Sequence, residues 1–100
     1  MIRGTTPTHI FEIPFEKSLI KTAKVIYSQN DKIIFCKETE DCEIEDGKIT
    51  IKLTQEETLA CKLGLLVSIQ IRILTNFGDA LTSNIMLDDV QKSLDDEVIV

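Results

Sequence analysis

Chemistry near neutral pH would have to come from four residues, the single histidine His9 and the three cysteines Cys36, Cys42 and Cys61. His9 stands between Thr8 and Ile10, at the start of an alternating apolar stretch. A general acid or base there needs a reacting group within hydrogen-bond reach. The chain contains no Gly-x-Ser-x-Gly elbow, Walker A loop or His-Glu-x-x-His pair, so the devices that position a nucleophile, a phosphate or a catalytic zinc are missing. His9 reads as a partly buried or exposed strand histidine, with catalysis as the alternative. No catalytic, cofactor-binding or metal-binding residue is assigned, and a non-enzymatic protein without cofactors is expected.

The cysteines form no Cys-x-x-Cys pair, and three of them leave one unpaired in any intramolecular disulfide scheme. A reducing cytoplasm at synthesis is the simpler inference. Cys36 and Cys42 would meet across neighbouring strands, and with His9 they would imitate a zinc set. Their five intervening residues fit poorly with pairs spaced by about two to four. Buried free thiols are expected, with a disulfide or a metal as the alternative. The acidic run Glu38, Glu40, Asp41, Glu43, Glu45 and Asp46 offers oxygen ligands for calcium, but it lacks the Asp-x-Asp-x-Asp-Gly loop with its distant glutamate. Alternation through Glu43, Ile44 and Glu45 suits a solvated strand face or a contact for a basic partner. Lys17, Lys21 and Lys24 cluster without interleaved aromatics, a weak nucleic-acid signal.

Two other features point outward. Phe77, between Asn76 and Gly78 in a turn-forming loop, has little local reason to be apolar; partner contact and folding back over the sandwich end are both open. Residues 88–100 carry five acids and one lysine yet end in Val98-Ile99-Val100. That strand-like end suits addition to a neighbouring subunit's sheet edge, or else a frayed tail or an edge strand on its own sheet.

These residues must be positioned by a small scaffold. One hundred residues make one domain, 1–100, and 43% hydrophobic against 28% charged residues suffices to fold it. Net charge −6 argues against non-specific nucleic-acid binding. The amino-terminal residues lack the apolar core of a secretory signal, and no apolar run approaches the roughly 20 residues of a membrane-spanning helix.

Alternation with a period of two dominates. It marks strands at Phe11–Phe15, with Pro14 favouring an edge, at Ala23–Tyr27, at Ile33–Cys36, and around Cys42 and Ile44. Asp46-Gly47 then suits a type I′ hairpin into Ile49–Leu53. Thr54-Gln55-Glu56-Glu57 has the spacing of a capping box and predicts one short helical turn near residues 55–60. Leu65–Ile73 reads as the central strand, and Leu81–Leu87 as its returning partner. Six to seven strands with one short helix predict an all-β, antiparallel β-sandwich. Residues 1–8 and 88–100 are expected to be extended, loosely held or partner-contacting.

Arg3-Gly4-Thr5-Thr6-Pro7-Thr8-His9 leading into Phe11-Glu12-Ile13-Pro14-Phe15, Ile51–Thr58, and the hairpin around Gly78-Asp79-Ala80-Leu81 together resemble small prophage proteins of Gram-positive bacteria. The order also looks like the amino-terminal Ig-like sandwich of siphophage upper baseplate proteins. In that family a Leu-Thr-x-Glu-Asp-Thr-like segment precedes a long strand, a glycine-containing hairpin and a last strand, as residues 51–87 do here. Leu65-Leu66-Val67 replaces the family's Gly-x-Tyr, and no receptor-binding domain is expected after residue 100. The resemblance implies a phage structural or assembly protein of tail, baseplate or head–tail region. Its partners would be other virion proteins and itself, with Phe77, Val98, Ile99 and Val100 as contacts and neither nucleic acid nor membrane as partner. It would reside in the bacterial cytoplasm during assembly and in the virion afterwards. A ligand-binding sandwich, for example for carbohydrate, is the alternative, although the chain has no Trp and one Tyr for stacking on sugars.

Overall fold

A computed structural model describes all 100 residues, Met1–Val100. Eight strands form, β1 (Thr8–Glu12), β2 (Ile20–Gln29), β3 (Lys32–Lys37), β4 (Cys42–Glu45), β5 (Lys48–Lys52), β6 (Val67–Thr75), β7 (Ala80–Thr82) and β8 (Met86–Asp88). One helix, α1 (Gln55–Leu59), and 3-10 turns at Lys17–Leu19 and Thr39–Asp41 complete the chain. The strands make an antiparallel sandwich of two sheets, ordered β1-β5-β4 and β3-β2-β6-β7, with β8 also on β6. If β1 to β7 are labelled B, C, C′, D, E, F and G, these orders are B-E-D and C′-C-F-G, an immunoglobulin-like arrangement without strand A.

Alternation explains the core. Ala23, Val25 and Tyr27 of β2 and Val67, Ile69, Ile71 and Ile73 of β6 face Ile49, Ile51 and Leu53 from the β5 side, all of them buried. Tyr27, on the strand where immunoglobulin domains place a buried tryptophan, stacks on Phe35 at 4.5 Å between ring centroids and on His9 at 5.8 Å. The capping box holds as expected: Thr54 Oγ1 accepts from Glu57 N at 3.1 Å, and Glu57 Oε1 accepts from Thr54 N at 2.8 Å.

Several expectations are corrected. The strands number eight because the Leu81–Leu87 segment is broken at Ser83, whose N–H donates to the Ile71 carbonyl while its hydroxyl accepts from Ile71 N. β7 therefore pairs with Arg72–Leu74 and β8 with Val67–Ile69. The type I′ geometry, with positive φ at both central residues, appears not at Asp46-Gly47 but at Asn30 (φ 50°) and Asp31 (φ 62°), between β2 and β3. At Asp46-Gly47 only Gly47 has positive φ, 79°. Its N–H donates to the Phe15 carbonyl and its carbonyl accepts from Ile13 N, both at 2.9 Å, so the continuation of β1 sets this turn. β1 begins at Thr8 rather than Phe11, since His9 also faces inward. β6 begins at Val67, because the Leu65 carbonyl is taken by the Gln29 amide at 3.0 Å. Cys36 and Cys42 lie on β3 and β4, in different sheets, and so are not strand neighbours.

Candidate functional site

Phe77 stands at the tip of the β6–β7 hairpin with 80% of its surface exposed. Its support is rigid. Asn76 donates from its backbone to the Leu19 carbonyl at 2.9 Å and from its side chain to the Ser18 carbonyl at 2.5 Å, and Thr75 N bonds the Asp79 carbonyl at 2.9 Å. The ring thus projects from a hairpin tied to the neighbouring 3-10 turn.

The carboxyl-terminal apolar residues form no strand. Gln55 grips the main chain of Ile99 at two points: Nε2 donates to its carbonyl at 2.9 Å and Oε1 accepts its N–H at 2.6 Å. Arg3 pairs with Asp96 at 3.0 Å. Polar contacts hold this segment, while Val98, Ile99 and Val100 are all exposed, Ile99 by 75%. Residues 1–5 are tied in as well: Ile2 bridges Gln91, and Gly4 N donates to Thr58 Oγ1 at 3.0 Å.

Between the sheets, on the β1 side, lies an open groove of about 530 Å³. Phe11, Ile13 and Phe15 roof it, and Ile71, Leu81 and Met86 floor it. The alternation of Phe11, Ile13 and Phe15 was the available signal. What the sequence does not announce is that the facing β7 is short, so these side chains stay only half covered.

His9 is brought to Tyr27 rather than to a nucleophile, with Nδ1 2.6 Å from the phenolic oxygen. Burial lowers its pKa, and burial likewise raises that of Tyr27 well above the usual phenol range. The neutral imidazole is thereby favoured, its Nδ1 sharing with the phenolic O–H one hydrogen bond whose direction is set by the ring tautomer. Cys61 is buried, Cys36 and Cys42 are partly so, and all three are free thiols. Burial, helped by Asp41, pushes the Cys42 thiol up to about 11, which disfavours the reactive thiolate.

The acidic run disperses into local structure. Glu38 and Asp41 cap the second 3-10 turn, Asp46 accepts from Lys17 N at 2.8 Å, and Glu45 pairs with Lys48 at 3.6 Å. No three His, Cys, Asp or Glu side chains converge as metal ligands. Lys24 pairs with Glu38 at 3.7 Å, and no helix is long and apolar enough to cross a membrane.

Sequence reasoning missed Gln29, a buried amide that donates to the Lys62 and Leu65 carbonyls and accepts from Lys62 N. No local pattern distinguishes it from a surface glutamine in a turn. No protein-family model matches the chain, nor does any curated protein or solved structure.

Proposed function

We propose that the protein is a non-enzymatic phage or prophage structural or assembly component, of tail, baseplate or head–tail region, working through contacts with neighbouring virion proteins and copies of itself. Its place is then the bacterial cytoplasm during assembly and the virion afterwards. The phage part rests on the resemblance carried by residues 3–15, 51–58 and 78–81. The contact part is carried by one observation: Phe77 is held out on a braced hairpin, where it packs against nothing of its own chain that would bury it. Large aromatics on rigid supports are typical anchors of protein interfaces.

Sedimentation of the protein with tail and head–tail proteins from its own gene cluster tests the reading. Complexes are expected, and Phe77→Ser should weaken them while changing unfolding stability by no more than about 0.5 kcal/mol, as for other exposed positions. Persistent monomer with every such protein refutes it. The groove volume of about 530 Å³ also falls in the range of small-molecule sites, which supports a ligand-binding module as a second reading; saturable binding of a glycan or a small apolar ligand would favour that one.

A further inference from the structure

We propose that the groove beside β1 is the docking site for one extended strand of another protein, apolar on its inward face and bearing lysine or arginine opposite Glu12. The inference rests on the assembly reading above and names the chemistry of the partner.

Backbone geometry comes first. β1 pairs with β5 alone, so its other side is a sheet edge. Leu53 N bonds the Pro7 carbonyl and Ile13 N bonds the Gly47 carbonyl, each at 2.9 Å, which places the odd-numbered residues of this stretch against β5 and the turn that opens it. In an antiparallel ladder the alternate residues then turn their N–H and C=O groups the other way. Thr8, Ile10 and Glu12 therefore offer main-chain donors and acceptors to an incoming strand. In immunoglobulin-like sandwiches strand A occupies this flank, and here nothing does. The stretch Ile10–Phe15 spans about 20 Å when extended, enough for a strand of ordinary length.

The walls and the charge define the occupant. Eight of the twelve lining residues are hydrophobic, and the single ionisable one is Glu12; it faces Lys48 across the β5 ladder, but that lysine is paired with Glu45, and Glu12 itself makes no ion pair. On a chain of net charge −6, an apolar strand with a cation opposite Glu12 is the complementary guest. The chain's own carboxyl-terminal segment is not. Leu94–Val100 brings Asp95, Asp96 and Glu97 and no basic residue, so it lacks the cation that complements Glu12, and in the antiparallel register that sets Val98 beside Phe11 it places Glu97 opposite Glu12, where like charges repel.

The test uses the full chain labelled with ¹⁵N and three synthetic peptides. One alternates valine with threonine and lysine, the second replaces each lysine by glutamate, and the third is the segment Leu94–Val100. The lysine peptide should slow amide exchange at Ile10 and Glu12 by about tenfold or more. The glutamate peptide should bind about fivefold more weakly, the upper end of one cross-strand charge pair, and Glu12→Lys, at an exposed position, should reverse that order. Absence of protection at Ile10 and Glu12, equal binding of the two designed peptides, or tightest binding by Leu94–Val100 overturns the proposal, the last by making a second copy the occupant. Complexes in sedimentation that leave these amides unprotected remove the groove proposal alone. Protection without any complex removes the assembly reading instead.

Discussion

Replacing Gln29 by leucine isolates the contribution of one buried amide, because the two side chains are similar in size and only the polar contacts are lost. Gln29 is 5% exposed. It makes three hydrogen bonds to the loop between α1 and β6, at 2.9 Å and 3.0 Å from Nε2 to the Lys62 and Leu65 carbonyls and at 2.7 Å from Lys62 N to Oε1. At about 1 kcal/mol net per bond the loss approaches 3 kcal/mol. Lys62 and Leu65 are exposed residues, so water recovers part of it, and the expected cost is about 2–3 kcal/mol. In urea the midpoint should fall with an unchanged slope, and the Lys62 amide should lose its protection against exchange. Gln29→Glu is the sharper control. Its carboxylate still accepts from Lys62 N but faces two carbonyl oxygens with no donor, so it should destabilise despite its near-identical shape. Protonation of that glutamate restores a donor. Its folded pKa is then raised, so the variant should recover part of its deficit as the pH falls through that raised value, the gain being complete below about 4.3. A Gln29→Leu protein within about 0.5 kcal/mol of the wild type, or a Gln29→Glu protein as stable as wild type at neutral pH, would refute the reasoning.

The neutral imidazole of His9 gives a second prediction. Burial lowers its folded pKa below the ordinary 6.5, so as pH falls the unfolded chain takes up the proton first and stability declines. The contribution is complete above about pH 6.5 and is lost as pH drops through the lower folded value; His9→Gln should flatten that part of a urea-midpoint profile. A third concerns Lys37, 7% exposed and paired with Glu57 at 2.8 Å. Glu57→Ala strands the cation and removes the capping box, for an expected loss of about 3–5 kcal/mol. Lys37→Met, which takes away the charge itself, should cost less than about 1.5 kcal/mol by chemical denaturation. Thr54→Ala removes the helix cap alone and should cost about 1 kcal/mol in the same assay.

Much of the fold was legible because its determinants are local. The alternation through Val67, Ile69, Ile71 and Ile73 needs only a pleated strand with one buried face, and the Thr54/Glu57 box is closed within four residues. Where reading failed, a distant segment decided. Asp46-Gly47 has strong hairpin chemistry, yet Ile13 and Phe15 claim the carbonyl and amide of Gly47. Ser83 looks like one more polar residue in an alternating run until its hydroxyl meets Ile71 N. The same limit applies to the groove, since Phe11, Ile13 and Phe15 announce an apolar face without stating what lies across from it. The position of Phe77 in a loop was readable from Asn76 and Gly78, whereas the bracing by Ser18 and Leu19 was not.

The break at Ser83 also bears on behaviour at high concentration. Chains that present long flat strands to solvent tend to stack into fibrils. On this molecule the outermost rank of the larger sheet is cut into two pieces of three residues each, while its opposite border is kinked by a register shift beside Tyr27 and carries the exposed Lys32. Such borders make poor templates, so crowding should leave the protein dispersed and confine any ordered growth to the smaller sheet, whose outer strands β1 and β4 keep unpaired edges.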